Sequence, residues 1–283
     1  MRKIFPEVVY KIMQKNRNVF CLLGDIGVFS FRNVFSKFKD RILNMSTMEQ
    51  SMIGFGAGLS KAGYIPIIHS ITPFLVLRAL EQIKIDLVYN KLTCNIVTTG
   101  ASNDYSKLGT THHCFEDISV LSNYNNINLF IPSNAAEFEF LLMQNYNNNA
   151  VNYYRISENT QKKLIKKNSF IRLNKNNKLV IIVGSAINVD SIKDKNTDIY
   201  YINSITKKLN LKFIKNYKKI VIIEPYFGNI LERKLRQKKH LTNKILTISY
   251  DETIIYKYGS KEEQDKFLNF DEKKILKKIY EFN

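Results

Sequence analysis

The sequence predicts an α/β protein of two domains, each built around a mostly parallel sheet. Three observations lead there. Short runs of β-branched and aromatic residues alternate with longer segments of helical spacing, as when parallel strands are joined by crossover helices. The strand candidates are nearly continuous in apolar residues, as in NVFCLL (18–23) and LVIIV (179–183), which fits burial on both faces. A polar, basic stretch, SENTQKKLIKKNSFIRLNKNNK (157–178), breaks the alternation. It reads as a linker over 158–178 between a first domain, 1–157, and a smaller one, 179–283.

Taken in order, PEVVYKIMQKN (6–16) places Val8, Val9, Ile12 and Met13 on one helical face, and the following strand runs into a glycine-bounded loop, GDIGVF (24–29). In MSTMEQSMIGFGAGLSKAG (45–63), Glu49 stands directly before an apolar run containing Gly54, Gly56 and Gly58. A helix start accounts for it: Ser46 or Thr47 as cap, Glu49 beside the positive end of the backbone dipole, and small residues that let the helix lie close to a sheet. YIPIIHS (64–70) is a strand, FLVLRALEQIKIDLVYN (74–90) an amphipathic helix and TCNIVTTG (93–100) a strand. Helix resumes at THHCFEDISVLS, followed by INLFIPS (127–133) as strand, AAEFEFLLMQNYN (135–147) as helix and AVNYYRI (150–156) as strand. Beyond the linker, LVIIVGSA, DIYYINS and KIVIIEPYFGN repeat the grammar, and DEKKILKKIYEFN is a terminal helix.

The chain has 283 residues, 45% of them hydrophobic, enough for packed cores. No apolar run approaches the roughly 20 residues of a membrane span, and the first residues carry no apolar stretch with a small-residue cleavage site. The expectation is a cytoplasmic protein without a membrane partner. Cys21, Cys94 and Cys114 lack metal-ligand spacing and read as reduced thiols in apolar elements. The net charge of +18 raises nucleic-acid binding, but the lysines are dispersed among asparagine and isoleucine without an arginine-aromatic platform. A solvated basic surface, with no nucleic-acid partner, is the expectation.

Four loops fall where parallel strands present their carboxyl ends to ligands: GDIGVF, the MEQ around Glu49, HSITPF (69–74) and GTTHH (109–113). Singly, each has a plain structural reading. Phe74 suits a core, and the adjacent His112 and His113 point in different directions without a third ligand, so no metal site is expected. Together, with FIPSNAAE and PFLVLRALEQIKIDL, they resemble the central and C-terminal portion of the transketolase family of thiamine diphosphate enzymes. The resemblance extends over nearly the whole chain, since VGSAINVDSI and IVIIEPYFGNILERKL look like that family's C-terminal domain, in a shortened form.

The resemblance implies a thiamine diphosphate pyrimidine-binding domain followed by a smaller transketolase C-terminal-like domain. It implies that Glu49 hydrogen-bonds a ring nitrogen of the cofactor's aminopyrimidine and carries or shares a proton, with the three glycines packing close behind it. Phe74 would stack on that ring, and Asp25 would lie at an acidic position near the cofactor. His112 would move protons to and from substrate hydroxyls, with His113 as the weaker candidate, and Arg155 would hold a sugar phosphate. Two departures bear on substrate: Leu108 stands where transketolases have an aspartate, and TTGAS (98–102) lacks an upstream phosphate-binding histidine. The family's Mg2+ and diphosphate motif, G-D-G followed by asparagine, has no counterpart, and an anionic diphosphate needs a cation. The expected partner is therefore a separately encoded N-terminal transketolase subunit that holds Mg2+, in a heterotetramer acting on a sugar or sugar phosphate. Alternatives are a deoxyxylulose-phosphate synthase-like or 2-oxo acid dehydrogenase beta-like subunit, or a non-catalytic relative.

Overall fold

In a computed structural model, which describes residues 1–158, 160–237 and 242–282, the chain forms two sheets flanked by helices. The first sheet contains β1 (Val19–Leu23), β2 (Ile42–Asn44), β3 (Ile65–Ile71), β4 (Cys94–Thr99), β5 (Ile127–Phe130) and β6 (Val151–Ile156). The second contains β7 (Ser169–Arg172), β8 (Lys178–Val183), β9 (Thr197–Ile202), β11 (Lys219–Phe227) and β12 (Lys244–Tyr250). A two-residue strand, β10 (Ser204–Ile205), leaves the second unit and closes the edge of the first sheet. The orders are β10-β5-β6-β4-β3-β1-β2 and β12-β11-β8-β9-β7, parallel throughout except for β10 against β5 and β7 against β9.

Strand β7 lies inside the stretch expected to be a linker. Its sequence, SFIR, alternates too briefly to announce itself among lysines and asparagines, and only pairing with β9 defines it. Three cores follow from the two-residue period of the strands. On the first sheet Leu22, Ile68, Ile96 and Tyr153 face one side, packed with α3 (Glu49–Lys61), while Cys21, Ile67, Val97 and Tyr154 face the other, packed with α1 (Phe5–Lys15), α2 (Arg32–Phe38) and α6 (Ala135–Asn145). Leu179, Ile181, Ile220 and Ile222 of the second sheet join the first of these cores, together with α7 (Ile230–Arg236). Val180, Ile182, Val221 and Ile223 form the third core with α9 (Glu272–Glu281), which is preceded by α8 (Lys261–Phe267).

Helix ends follow local chemistry where a side chain reaches them. Asn134 caps α6, Asp271 caps α9, and Ser260 with Glu263 forms a reciprocal capping box on α8. At α3 neither Ser46 nor Thr47 serves: the cap position is Met48, without a side-chain bond, and Ser46 has a left-handed φ of 56°. The segment expected as one regular helix over 74–90 is mostly wide π turns, Pro73–Arg78 and Ile83–Tyr89, around a short α4 (Leu80–Gln82). One wide turn brings Arg78 back over Phe74. A last short helix, α5 (Asp117–Leu121), follows the two-histidine loop.

Candidate functional site at the carboxyl ends of the first sheet

The site is assembled from loops that leave β1, β2, β3 and β4 on one side of the sheet. After β1, Gly24 lies so close to β3 that a Cβ there would sit 2.8 Å from the Ser70 hydroxyl. Its amide donates to the His69 carbonyl at 2.8 Å. Asp25 follows in a left-handed conformation and is tied to the end of β2: its amide donates to Asn44 Oδ1, and Asn44 Nδ2 donates to Asp25 Oδ1, each at 3.0 Å. Asp25 thus stands exposed at the rim, with one carboxylate oxygen bonded to Asn44.

Glu49, the first residue of α3, is 1% exposed. The Ser70 hydroxyl donates to its Oε1 at 3.1 Å, and Arg78 Nη1 donates to its Oε2 at 2.6 Å. Sequence reasoning missed Arg78 as a partner of this carboxylate. The spacing of four residues from Phe74 to Arg78 signals only that those two side chains can meet, and nothing local ties Arg78 to Glu49. The guanidinium lies 4.5 Å from the centre of the Phe74 ring, so one side chain touches both residues expected to meet the cofactor's pyrimidine. Of the three glycines expected to pack behind Glu49, Gly56 alone makes a close approach: a Cβ would lie 2.7 Å from Ile68 Cδ1, against 3.6 Å from Asp86 at Gly54 and open space at Gly58.

His112 joins this cluster from the loop after β4. Its ring centre is 5.2 Å from that of Phe74, edge to face, and 6.4 Å from that of Tyr105. Its Nδ1 is 3.0 Å from the Thr111 hydroxyl. His113 turns away into the protein, beside Phe115. Burial pushes its imidazole below the ordinary range, only partly offset by the Ser106 carbonyl, and neither ring nitrogen makes a hydrogen bond of ordinary geometry. A neutral, enclosed ring suits packing better than contact with substrate.

Arg155 is also enclosed, at 1% exposure. Its Nε donates to Asp117 Oδ2 at 2.7 Å, and its Nη2 donates to Ser102 Oγ at 2.7 Å. Tyr153 donates to the same Asp117 oxygen at 2.7 Å, and Ser102 donates to the Pro225 carbonyl of the second unit at 2.7 Å. Asp117 compensates the arginine's charge, so this buried pair ties α5, β6 and β11 together. A cavity of about 320 Å³ opens beside it between the two units, with Asp104, Lys261 and Asp265 among its walls. Burial lifts the Asp104 carboxyl to about 6. The expected phosphate contact at Arg155 thus meets an arginine already engaged by a carboxylate, in surroundings with further acids. Leu108, where the sequence departs from the pattern of the family it resembles, is exposed. Among the described residues no group of three or more His, Cys, Asp or Glu side chains could hold a metal ion.

Residues 1–161 match the family described as transketolase, pyrimidine binding domain. An apulose-4-phosphate transketolase subunit of Actinobacillus succinogenes is 37% identical over 101 residues, 36% of this chain and 32% of that protein. The 1-deoxy-D-xylulose-5-phosphate synthase of Clostridium tetani is 27% identical along 98% of this chain and 48% of its own length. The matches thus span a third to a half of these relatives. In three dimensions the chain resembles a solved structure described as a split gene transketolase, inactive beta4 tetramer. The TM-score is 0.82 at 17% identity, over 99% of this chain and 97% of that one. With more than half of its length matched, this chain belongs to the transketolase pyrimidine-binding domain family.

Proposed function

We propose that the chain is the pyrimidine-binding, C-terminal subunit of a split transketolase-like transferase that moves a two-carbon ketol unit between sugars. The observation that carries this reading is the buried Glu49 carboxylate joined through Arg78 to the half-buried Phe74 ring, which His112 meets edge to face. These residues fit the aminopyrimidine end of thiamine diphosphate: a flat ring offers a stacking face, and a desolvated acid offers a directed oxygen. The anionic end requires cationic compensation, which this reading assigns to Mg2+ on a separately encoded N-terminal subunit, in a cytoplasmic heterotetramer of two copies of each chain. The name of the Actinobacillus relative, a transketolase subunit, supports a two-chain enzyme.

When bound, thiamine diphosphate supplies a carbon nucleophile and an electron sink for carbon–carbon bond cleavage. The chain's own residues do the rest. Glu49 would hold the pyrimidine end by hydrogen bonding and carry or share a proton with it, with Ser70 and Arg78 orienting the carboxyl group. Phe74 would offer a stacking face to the ring, and Asp25 stands exposed at the rim of the same loops. His112, half-buried on a loop, transfers protons at substrate hydroxyls.

The test is calorimetric titration of thiamine diphosphate and Mg2+ into this chain, alone and co-expressed with a second chain that carries the diphosphate motif, for wild type and Glu49→Gln. Binding is expected only with the partner. In Glu49→Gln most of the affinity should persist while ketol transfer falls by about 10²–10⁴-fold, the range for losing a positioned proton-transfer group. Unchanged turnover would remove Glu49 from the mechanism. The match to the Clostridium synthase over 98% of the chain favours a second reading, a decarboxylating synthase acting on a 2-oxo acid. Release of carbon dioxide from pyruvate by the two-chain enzyme would select it.

A further inference from the structure

We propose that the second unit positions His112 through a brace formed by Ile254–Gly259, with Tyr258 and the Thr110–Ile255 contact as its working parts. The segment runs without regular structure between β12 and α8 and lies across the two-histidine loop. Gly109 has a φ of 78°, and a Cβ there would fall 2.6 Å from Tyr258 Cε1 and 2.9 Å from Cζ, so the tyrosine ring rests directly on the glycine backbone. The Thr110 hydroxyl donates to the Ile255 carbonyl. Ile255 is itself anchored in the core of the second sheet, at 3% exposure. One turn away, the buried Gln264 side chain donates to the Lys257 carbonyl at 3.0 Å and to the Ser106 carbonyl at 3.4 Å, joining brace and loop a third time.

The two braced residues are the ones that hold the histidines. The His112 amide donates to the Gly109 carbonyl at 3.0 Å and the His113 amide to the Thr110 carbonyl at 3.1 Å, closing the single 3-10 turn Thr110–His112. Any shift of Gly109 and Thr110 therefore moves the His112 ring relative to Phe74. A short turn has little rigidity of its own. Its placement depends on what packs against it, and Tyr258 covers Gly109 while remaining 70% exposed itself. Tyr258 and Thr110 are thus positioning residues that act through His112.

The test reads the imidazole directly. The chain has four histidines, so their Cε1–H resonances in the full-length chain can be assigned by single His→Gln substitutions. In Tyr258→Ala and in Thr110→Val the His112 resonance should shift or broaden and its nuclear Overhauser contact with Phe74 should weaken, whereas Tyr258→Phe and Thr110→Ser should restore both. His69, buried within β3, reports on the fold and should stay unchanged. Unaltered His112 signals in both disruptive variants would overturn the proposal. Loss of the His69 and His112 signals together would also overturn it, by showing general unfolding instead of local positioning.

The catalytic consequence rests on the role proposed above for His112. In the two-chain enzyme, Tyr258→Ala should then lower kcat by about ten- to a hundredfold, as for a misplaced reacting group, with cofactor affinity maintained. A displaced His112 resonance with unchanged kcat would support the brace and refute that catalytic role.

Discussion

Glu49 is bonded to two partners that differ in what happens when one is lost. Ser70 is buried, while the Arg78 side chain is 45% exposed and can turn to water. Arg78→Met would keep an apolar stem over Phe74 but leave a buried carboxylate with only a hydroxyl donor, at an expected cost of about 1–3 kcal/mol. Glu49→Gln would keep an oxygen for Ser70 and free a solvated guanidinium, at a cost of about 1 kcal/mol or less. Urea unfolding of both variants checks this asymmetry, and equal losses or the reverse order would show that the pair does not depend on the burial of the acid. The acid stood out in the sequence because a carboxylate directly before a glycine-rich apolar run gains nothing from packing, although a helix start also accounts for it and it is the first residue of α3. Its arginine was not, because residues 29 apart in sequence meet only when α3 and the π-helical segment lie side by side.

At the scale of elements, the joint between the units is tighter than a linker would make it. The Ile131 amide donates to the Asn203 carbonyl at 2.8 Å, and β10 continues the first sheet with residues that follow β9. Gly184, directly after β8, has a φ of 50°, and a Cβ there would lie 2.4 Å from Ile131 Cγ2 and 2.5 Å from the Ile131 carbonyl oxygen. Backbone cannot yield as a side-chain tip can, so Gly184→Ala is expected to destabilise the protein by about 2–4 kcal/mol through strain and overlap together. A loss below about 0.5 kcal/mol in denaturant unfolding, the usual size for a neutral surface change, would mean that the joint opens freely. By contrast a Cβ at Gly56 is crowded by the flexible end of Ile68 alone, with Pro66 Cβ at an ordinary 3.6 Å. Helices α1, α3, α6 and α9 and the most apolar strands were readable from periodicity, whereas the segment 74–90 wound into π turns, and β12, its first half exposed or only partly buried, was not expected. Strands of two and four residues, β10 and β7, carry too few side chains to show a period, and pairing alone created them.

Across the whole molecule, one core passes from the first sheet to the second, so buried ionisable groups in either unit bear on a shared stability. Glu224, fully buried near the end of β11, accepts from Tyr226 Oη and the Leu231 amide at 2.8 Å each through one oxygen, while its other oxygen has no partner. Burial raises its carboxyl from the ordinary 4.5 to about 7. Between those values the folded chain binds a proton that the unfolded chain has released, so this group makes stability fall as pH rises from 4.5 to 7, by roughly 1.4 kcal/mol per unit at most. His69, pushed down from 6.5 to about 4 by burial, acts with the opposite sign, since below 6.5 the unfolded chain takes up a proton that the folded chain refuses. Glu224→Gln should therefore leave stability rising more steeply, or falling less, across this window than in wild type. Parallel pH profiles for the two proteins would show that Glu224 ionises as readily in the folded chain. By itself the sequence determined an α/β architecture of two mostly parallel sheets and the strand ends that carry the candidate site, because these follow from apolar runs and local periodicity, while the roles proposed for Glu49, Phe74 and His112 come from the family resemblance that the order of the motifs carries. Only the tertiary structure decided that Arg78 pairs with Glu49, that Asp117 engages Arg155, and that the second unit braces the histidine loop, because each is a contact between segments far apart in the chain that close packing alone brings together.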